Sequence, residues 1–150
     1  MSDCFHILLI EDSRADVKII QRALSDGEVP HRLIVASNGP EALAYLDQAG
    51  AAAPSSTRFP DLILLDLNLP GMDGEQVLAS LKSDPLLRAI PVIVLTTSRQ
   101  EDDVLRTYLA GANTYIQKPA EYPSYQELVQ TIRSYWRDTA LRPTIRRAPP

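Results

Sequence analysis

The segment Phe59–Gly74, FPDLILLDLNLPGMDG, decides the fold of this chain. Its apolar run, Leu62–Leu65, has no polar alternation, which is typical of a strand covered on both faces in a parallel sheet. The run stops at Asp66, and a carboxylate at the C-terminal end of such a strand points into the crevice where open α/β sheets bind ligands. Pro70 and Gly71 then indicate a loop. Asp66 is therefore either a functional carboxylate at the mouth of a sheet or a residue that caps a turn.

Four further segments also have the character of strands, and a predicted helix follows each of the five. The predicted strands are Phe5–Ile10, Arg32–Ala36, Leu62–Leu65, Ile90–Leu95 and Thr114–Gln117. This fivefold alternation predicts an α/β fold, in which a parallel sheet has helices on both faces and right-handed crossovers. For five strands we expect the flavodoxin-like, doubly wound order 2-1-3-4-5.

The helix starts are predicted from capping residues. Ser13 is the expected N-cap of the first helix. Three capping boxes are expected later in the chain: Asp73 with Gln76, Ser98 with Glu101, and Ser124 with Glu127. In the helix after Ser98, the apolar spacing predicts an inward face made of Val104, Leu105, Tyr108 and Leu109.

The chain has 150 residues, a formal net charge of −4 and a single cysteine, Cys4. This length suits one domain, which we place at residues 1–138, followed by a flexible tail at residues 139–150. The low-complexity stretch Ala49–Arg58 predicts a solvated loop. The acidic balance argues against nucleic acid as a partner. Without a membrane-length apolar run or a signal peptide, we expect a cytoplasmic protein that makes no membrane contact.

Polar groups follow four of the five predicted strands: Glu11-Asp12, Asp66, Thr96 and Lys118. Because the carboxyl ends of parallel strands share one edge, these groups can converge. Three carboxylates at close range repel one another and raise their own pKa values. A hard cation or an ammonium group relieves that repulsion; oxygen ligands with retained waters suit Mg²⁺, and Lys118 supplies the ammonium.

Such a set of groups can carry out phosphoryl transfer, with Asp66 as the nucleophile. The metal, Lys118 and Thr96 would neutralise charge on the oxygens of the transferring group. The chain contains neither GxGxxG nor GxxxxGK[ST], which counts against dinucleotide and nucleoside triphosphate binding. Two plainer interpretations remain open: Glu11-Asp12 as a helix-capping start, and Lys118 as a solvated lysine at a strand end.

The sequence resembles the receiver domain of two-component response regulators over roughly residues 5–136. The resemblance rests on five pieces in order: the pair Glu11-Asp12, the LLDLNLPGMDG loop, the VLTTS strand end, Tyr115, and Lys118-Pro119. It implies that Asp66 accepts a phosphoryl group from a sensor histidine kinase. It also implies a protein that signals through altered protein–protein contacts. Such a protein is not an enzyme, apart from catalysing its own phosphoryl transfer and dephosphorylation.

The resemblance also implies a metal site. Asp12, Asp66 and the main-chain carbonyl of Asn68 resemble the Mg²⁺ ligands of the family, with Glu11 contributing through water. The family often has Asp at the first acidic position, so Glu11 adds one methylene and should shift water-mediated contacts only slightly.

Three further positions resemble the switch of the family. Lys118 corresponds to the lysine that pairs with the phosphoryl group, and Thr96 to the hydroxyl that moves to meet it. Tyr115 corresponds to the aromatic residue that rotates inward behind that hydroxyl. Asn68 and Ser98 flank the line along which water would attack the aspartyl phosphate.

A finer resemblance is to single-domain regulators that serve phytochrome-type sensor kinases. It rests on the segment TTSRQEDDVLRTYLAGANTYIQKP, the long loop before Phe59, and RSYWRD in the last helix. Two other functions have less support in the sequence. A Mg²⁺-dependent phosphatase of the haloacid-dehalogenase type usually has an acid two residues after the nucleophile, where this chain has Asn68. A degenerate receiver would bind partners without phosphorylation, but the acid, Thr and Lys set is intact.

The last helix predicts self-association. It carries six large apolar or aromatic residues, Tyr125, Leu128, Val129, Ile132, Tyr135 and Trp136, with Tyr122 just before them. Covering the edge of a sheet needs only about 100° of helical arc, so a surplus should be exposed. We expect a twofold homodimer through the last helix and last strand. The alternative is that Trp136 and Tyr122 merely cover the edge of the core.

Overall fold

The structure is a computed structural model that describes residues 4–27, 30–51, 59–143 and 145. Its five strands are β1 Phe5–Ile10, β2 His31–Ala36, β3 Leu62–Leu65, β4 Val92–Thr96 and β5 Thr114–Gln117. Every neighbouring pair is parallel, and the order across the sheet is β2-β1-β3-β4-β5. The predicted flavodoxin-like topology is confirmed.

Five α-helices connect and follow the strands. They are α1 Arg14–Asp26, α2 Gly39–Ala51, α3 Gly74–Ser83, α4 Glu101–Leu109 and α5 Tyr122–Arg133. A short 3₁₀ helix, Leu87–Ala89, precedes β4, and a π-helical turn, Ser134–Thr139, continues α5. None of the helices in the described ranges is long and apolar enough to cross a bilayer.

Side chains of alternate residues in the central strands pack into two separate cores, one on each face of the sheet. In β1, Leu8 and Ile10 face the core that α2 and α3 cover, with Leu46 and Leu78 among its buried members. The other core is covered by α1 and α5 and includes these buried residues: Phe5, Ile7, Leu9, Ile20, Leu24, Val129 and Ile132. Burial on both faces explains why β1 and β3 lack polar alternation.

Two of the predicted helix starts have the expected caps. The Ser13 hydroxyl accepts a hydrogen bond from the Asp16 amide. Asp73 and Gln76 form a reciprocal capping box, with both bonds at 2.9 Å. These bonds satisfy amide groups that the first turn of a helix would otherwise leave unpaired.

The two other predicted capping boxes are wrong. The N-cap of α4 is Gln100, and no side chain in the described ranges caps this helix. Ser98 instead donates its hydroxyl hydrogen to Asp103 over 2.5 Å. In α5 the helix already begins at Tyr122, with a proline in its first two positions, so Ser124 lies inside the helix. A proline there supplies a helical φ and lacks an amide that would need a partner.

The predicted inward face of α4 is also wrong. Leu105 is 59% and Leu109 77% exposed, whereas Thr107 is completely buried. Thr107 tolerates burial because its hydroxyl donates to the Asp103 carbonyl over 2.6 Å. Tyr108 is held outward because its hydroxyl accepts a hydrogen bond from the Tyr115 amide of β5. Contacts at the helix ends thus override its apolar periodicity.

The predicted loop Ala49–Arg58 starts later than expected, because α2 continues to Ala51. Residues 52–58 lie outside the described residues. Part of the predicted tail is described: Arg142 donates to the carbonyls of Trp136 and Arg137, and its guanidinium lies 5.2 Å from the ring centre of Phe5. Residues 144 and 146–150 of that tail lie outside the described residues.

Candidate functional site

The carboxyl ends of the strands carry the candidate site, and main-chain bonds hold its residues in register. The Glu11 amide donates to Ala36 on β2, and the Asp66 amide donates to Ile10 on β1, each over 3.0 Å. The Lys118 amide donates to the Thr96 carbonyl over 2.7 Å. Each residue thus continues the hydrogen-bond ladder beyond its strand, which brings side chains distant in sequence to one edge.

Glu11, Asp12 and Asp66 form an acidic cluster in which one oxygen of each lies within 4.8 Å of the others. Glu11 is 2% and Asp66 5% exposed, while Asp12 is open to solvent. Burial, with the neighbouring Asp66 charge adding to it, raises the pKa of Glu11 to about 7 against an opposing bond from Lys118. An oxygen-only donor set, with one member facing water, fits a hard divalent cation that retains water ligands.

Lys118 is the cation that the chain itself places in this cluster. Its Nζ lies 2.8 Å from Glu11 Oε1 and 3.3 Å from Asp66 Oδ2, and its side chain is only 8% exposed. Burial alone would lower the pKa of Lys118, but the carboxylates around it outweigh that effect and raise it. Lys118 therefore stays charged among these acids.

Asp16 is a site residue that sequence reasoning missed. Asp16 is the acidic residue in the first turn of α1, and its Oδ2 lies 2.8 Å from Lys118 Nζ. No local signal could have found it, because Lys118, the partner that joins Asp16 to the site, lies 102 residues further along the chain.

The hydroxyl of Thr96 lies at the same edge and is completely buried. Asn68 links it to the acid, because its side-chain nitrogen lies 3.5 Å from Thr96 Oγ1 and its amide donates to Asp66 Oδ1 over 3.2 Å. The structure thus brings the predicted hydroxyl, the predicted Asp66 and the loop after β3 into one hydrogen-bonded group.

Tyr115 lies one strand further along the edge, half-buried on β5. Its hydroxyl donates to the main-chain carbonyl of Ser98 over 2.9 Å. Ser98 lines an open cleft of about 220 Å³ together with Asn68 and Thr96. The predicted switch residue and the predicted hydroxyl are therefore connected through the loop between β4 and α4.

Two ion pairs close the outer side of this cleft. Arg106 of α4 contacts Glu75 of α3 over 3.0 Å and Asp103 over 2.6 Å. Asp103 also accepts the Ser98 hydroxyl, which lowers the pKa of its carboxyl, with Arg106 adding to the effect. Asp103 thus does more than place a negative charge in the first turn of α4.

Gly74, where α3 begins, lets that helix approach the acid. Its amide donates to the Leu67 carbonyl over 2.9 Å. A Cβ at this position would lie 2.4 Å from Leu67 Cα and 2.5 Å from the Asp66 carbonyl oxygen, both main-chain atoms. Only glycine therefore fits without moving the backbone next to Asp66.

This edge of the sheet, with its acids, lysine and threonine, defines the class of protein. A family model described as the response regulator receiver domain matches residues 7–133. The chain belongs to that family, whose members act in two-component signalling. Membership favours the receiver hypothesis over the haloacid-dehalogenase type of phosphatase, and the assembled acids, Lys118 and Thr96 argue against a degenerate receiver.

Within this family, the chain is similar to phytochrome response regulators and to Rcp1 along most of its length. The response regulator Rcp1 of Synechocystis sp. (strain ATCC 27184 / PCC 6803 / Kazusa) is 44% identical over 137 residues, which cover 91% of this chain and 92% of Rcp1. The solved structure of the phosphorylated cyanobacterial phytochrome response regulator RcpA matches with a TM-score of 0.84 at 48% identity, covering 94% of this chain and 99% of RcpA. The Mn²⁺-bound form of Rcp1 matches with a TM-score of 0.80 at 45% identity, covering 93% and 99%.

Proposed function

We propose that Asp66 accepts a phosphoryl group from the phosphohistidine of a sensor kinase and that phosphorylation changes the protein contacts of this chain. A carboxylate oxygen of Asp66 forms the new P–O bond as the P–N bond of phosphohistidine breaks, and the freed imidazole keeps the electron pair. The observation that carries the proposal is Asp66 itself, buried at the end of β3 and in contact with Lys118.

Mg²⁺ is the cation we assign to the acidic cluster, with Asp12 and Asp66 as direct ligands through side-chain oxygens. The proposed ligand set also includes the main-chain carbonyl of Asn68 and, through water, Glu11. When bound, the metal would neutralise negative charge on the transferring group and on the three carboxylates. Lys118 would hold a second side of the phosphoryl group, and Thr96 would donate a hydrogen bond to it.

A phytochrome-type sensor histidine kinase is the partner we propose. The support is the likeness to RcpA, which is described as a cyanobacterial phytochrome response regulator, across 94% of this chain. The acidic chain with one cysteine fits a cytoplasmic setting and a protein partner rather than nucleic acid.

A homodimer through the last helix and last strand is the second part of the proposal. Several of the apolar and aromatic residues that were expected to be exposed on the last helix are buried, since Tyr125, Val129 and Ile132 belong to the core. Tyr135 remains 53% exposed. Leu105 and Leu109 add exposed apolar surface on α4, which packs beside β5. Exposed apolar groups on neighbouring elements support an interface on this side of the molecule.

Labelling with a small phosphodonor tests the phosphoacceptor. With Mg²⁺, the wild-type chain should take up labelled phosphate from acetyl phosphate, and Asp66→Asn should not. Asp73→Asn is the matched control: it removes an acid from the same loop, and asparagine is an equally good N-cap. Equal labelling of Asp66→Asn and wild type would end the assignment.

A further inference from the structure

Lys118 has three partners for its three ammonium hydrogens. Nζ lies 2.8 Å from Asp16, 2.8 Å from Glu11 and 3.3 Å from Asp66. An ammonium group offers three donors and no more. The longest of the three contacts is the one to Asp66, so Asp16 and Glu11 hold this lysine more closely than Asp66 does.

We infer that Asp16 is a positioning residue that competes with the phosphoryl group for Lys118, an inference that rests on the proposed function of Asp66. A phosphoryl group on Asp66 brings up to two negative charges and three acceptor oxygens next to Nζ. One new bond can replace the contact that Lys118 now makes with Asp66, but a second bond to the phosphoryl oxygens requires Lys118 to release Asp16 or Glu11. Asp16 therefore opposes the phosphorylated state, and its contact breaks when that state forms.

Asp16 is the partner that releases Lys118, because water can hydrogen-bond to its carboxylate once the contact is lost. Its side chain is 25% exposed, whereas that of Glu11 is 2% exposed. Glu11 also accepts a hydrogen bond from the Ser13 amide over 3.1 Å, which fixes its carboxylate. A released Glu11 would be a buried charge without an ammonium partner, which is costly, whereas a released Asp16 is solvated at once.

The change of partner at Lys118 would couple phosphorylation of Asp66 to α1. Lys118 follows β5 and Asp16 lies on α1, so their contact joins two elements 102 residues apart. Its loss would uncover a free carboxylate on α1. This route is distinct from the one through Thr96 and Tyr115, which leads towards α4.

Beryllofluoride, an aspartyl-phosphate mimic, provides the test on the full chain at saturating Mg²⁺. Asp16→Asn keeps the side-chain shape but removes the charge, and should bind beryllofluoride on the order of fivefold more tightly, the size expected for losing one partly exposed ion pair. Asp26→Asn is the control, because it removes the same charge from the same helix and Asp26 contacts Tyr122 and Gln126 instead.

A second readout follows Lys118 directly. In ¹⁵N NMR of lysine ammonium groups, Asp16→Asn should shift the Lys118 resonance in the free protein and leave it unchanged in the beryllofluoride-bound protein. Equal affinity of wild type and Asp16→Asn, or an equal gain in Asp26→Asn, would overturn the inference while leaving Asp66 as phosphoacceptor. Failure of folded wild type to bind beryllofluoride at all would overturn the proposed function and the inference with it.

Discussion

The hydroxyl of Tyr115 donates a hydrogen bond of 2.9 Å to the main-chain carbonyl of Ser98. This bond ties the edge strand β5 to the loop that leads from β4 into α4. The same loop residue donates its own hydroxyl to Asp103 of α4. Any movement of this loop towards a phosphoryl group must therefore change the surroundings of the Tyr115 ring and the position of α4.

Tyr115→Phe should loosen the loop without unfolding the domain. The change removes one hydrogen bond and leaves the half-buried ring, so the free energy of unfolding should fall by ~1 kcal/mol. Amide hydrogen exchange at Ser98 and Gln100 should become faster, while exchange in β1 stays slow. Tyr135→Phe is the control, since Tyr135 lies exposed beyond the end of α5. Unchanged exchange at Ser98 in the Tyr115 variant would show that the bond does not hold the loop.

Lys118→Ala should keep the fold but uncouple phosphorylation from the surface change, because in the proposed function its ammonium group would link the phosphoryl group to the end of β5. The measurement is the affinity for a partner, such as the kinase, with and without beryllofluoride. Wild type should show a difference and Lys118→Ala none. A difference of the same size in the variant would count against Lys118 as the link.

Asp12→Ala should weaken Mg²⁺ binding strongly, and Glu11→Ala should weaken it less. Asp12 is the solvent-facing member of the cluster and the proposed direct ligand, whereas Glu11 is already engaged by Lys118 and the Ser13 amide. Calorimetric titration of each variant with Mg²⁺ measures its affinity for the metal and so ranks the two substitutions. Phosphodonor labelling that continues unchanged in excess chelator would contradict the need for a cation.

The raised pKa of Glu11 makes the stability of the metal-free protein depend on pH. Its ordinary value is 4.5 and its value in the fold is about 7. Between these values the unfolded chain has released the proton and the folded chain still holds it, so stability falls as pH rises. For this one group the slope approaches ~1.4 kcal/mol per pH unit.

Urea unfolding in chelator at pH 5 and pH 7 measures this effect. Glu11→Gln serves as the reference, because the amide does not titrate and every other group is unchanged. The stability of wild type relative to Glu11→Gln should be lower at pH 7 than at pH 5. If the difference in the free energy of unfolding between wild type and Glu11→Gln is the same at pH 5 and pH 7, the pKa of Glu11 is not raised in the folded protein.

Light scattering at micromolar concentration tests the proposed dimer. Wild type should show a mass near twice 16.6 kDa. Trp136→Glu should lower that mass while circular dichroism shows the fold intact, and Leu109→Glu should do the same if the exposed side of α4 takes part. A monomer mass for wild type, with and without beryllofluoride, would refute the dimer and favour the view that Trp136 only covers the core edge.

The sequence by itself determined the topology and most of the site. Short apolar runs without alternation, such as Leu62–Leu65, are typical of strands buried on both faces, and five predicted strands separated by helices leave few parallel arrangements. Because each of the predicted acids, Thr96 and Lys118 ends a strand, the topology alone brings them to one edge. The local caps at Ser13 and Asp73 were also predictable, since both partners lie within one helical turn.

Only the tertiary structure decided the contacts between elements. The Ser98–Glu101 capping box failed because Asp103 takes the Ser98 hydroxyl instead. The orientation of α4 could not be predicted, because bonds at its ends hold an apolar stripe outward. Asp16 and Lys118 are 102 residues apart, so no local pattern links them. Periodicity reports which residues share a face of a helix, but packing and ion pairs determine which face the fold buries.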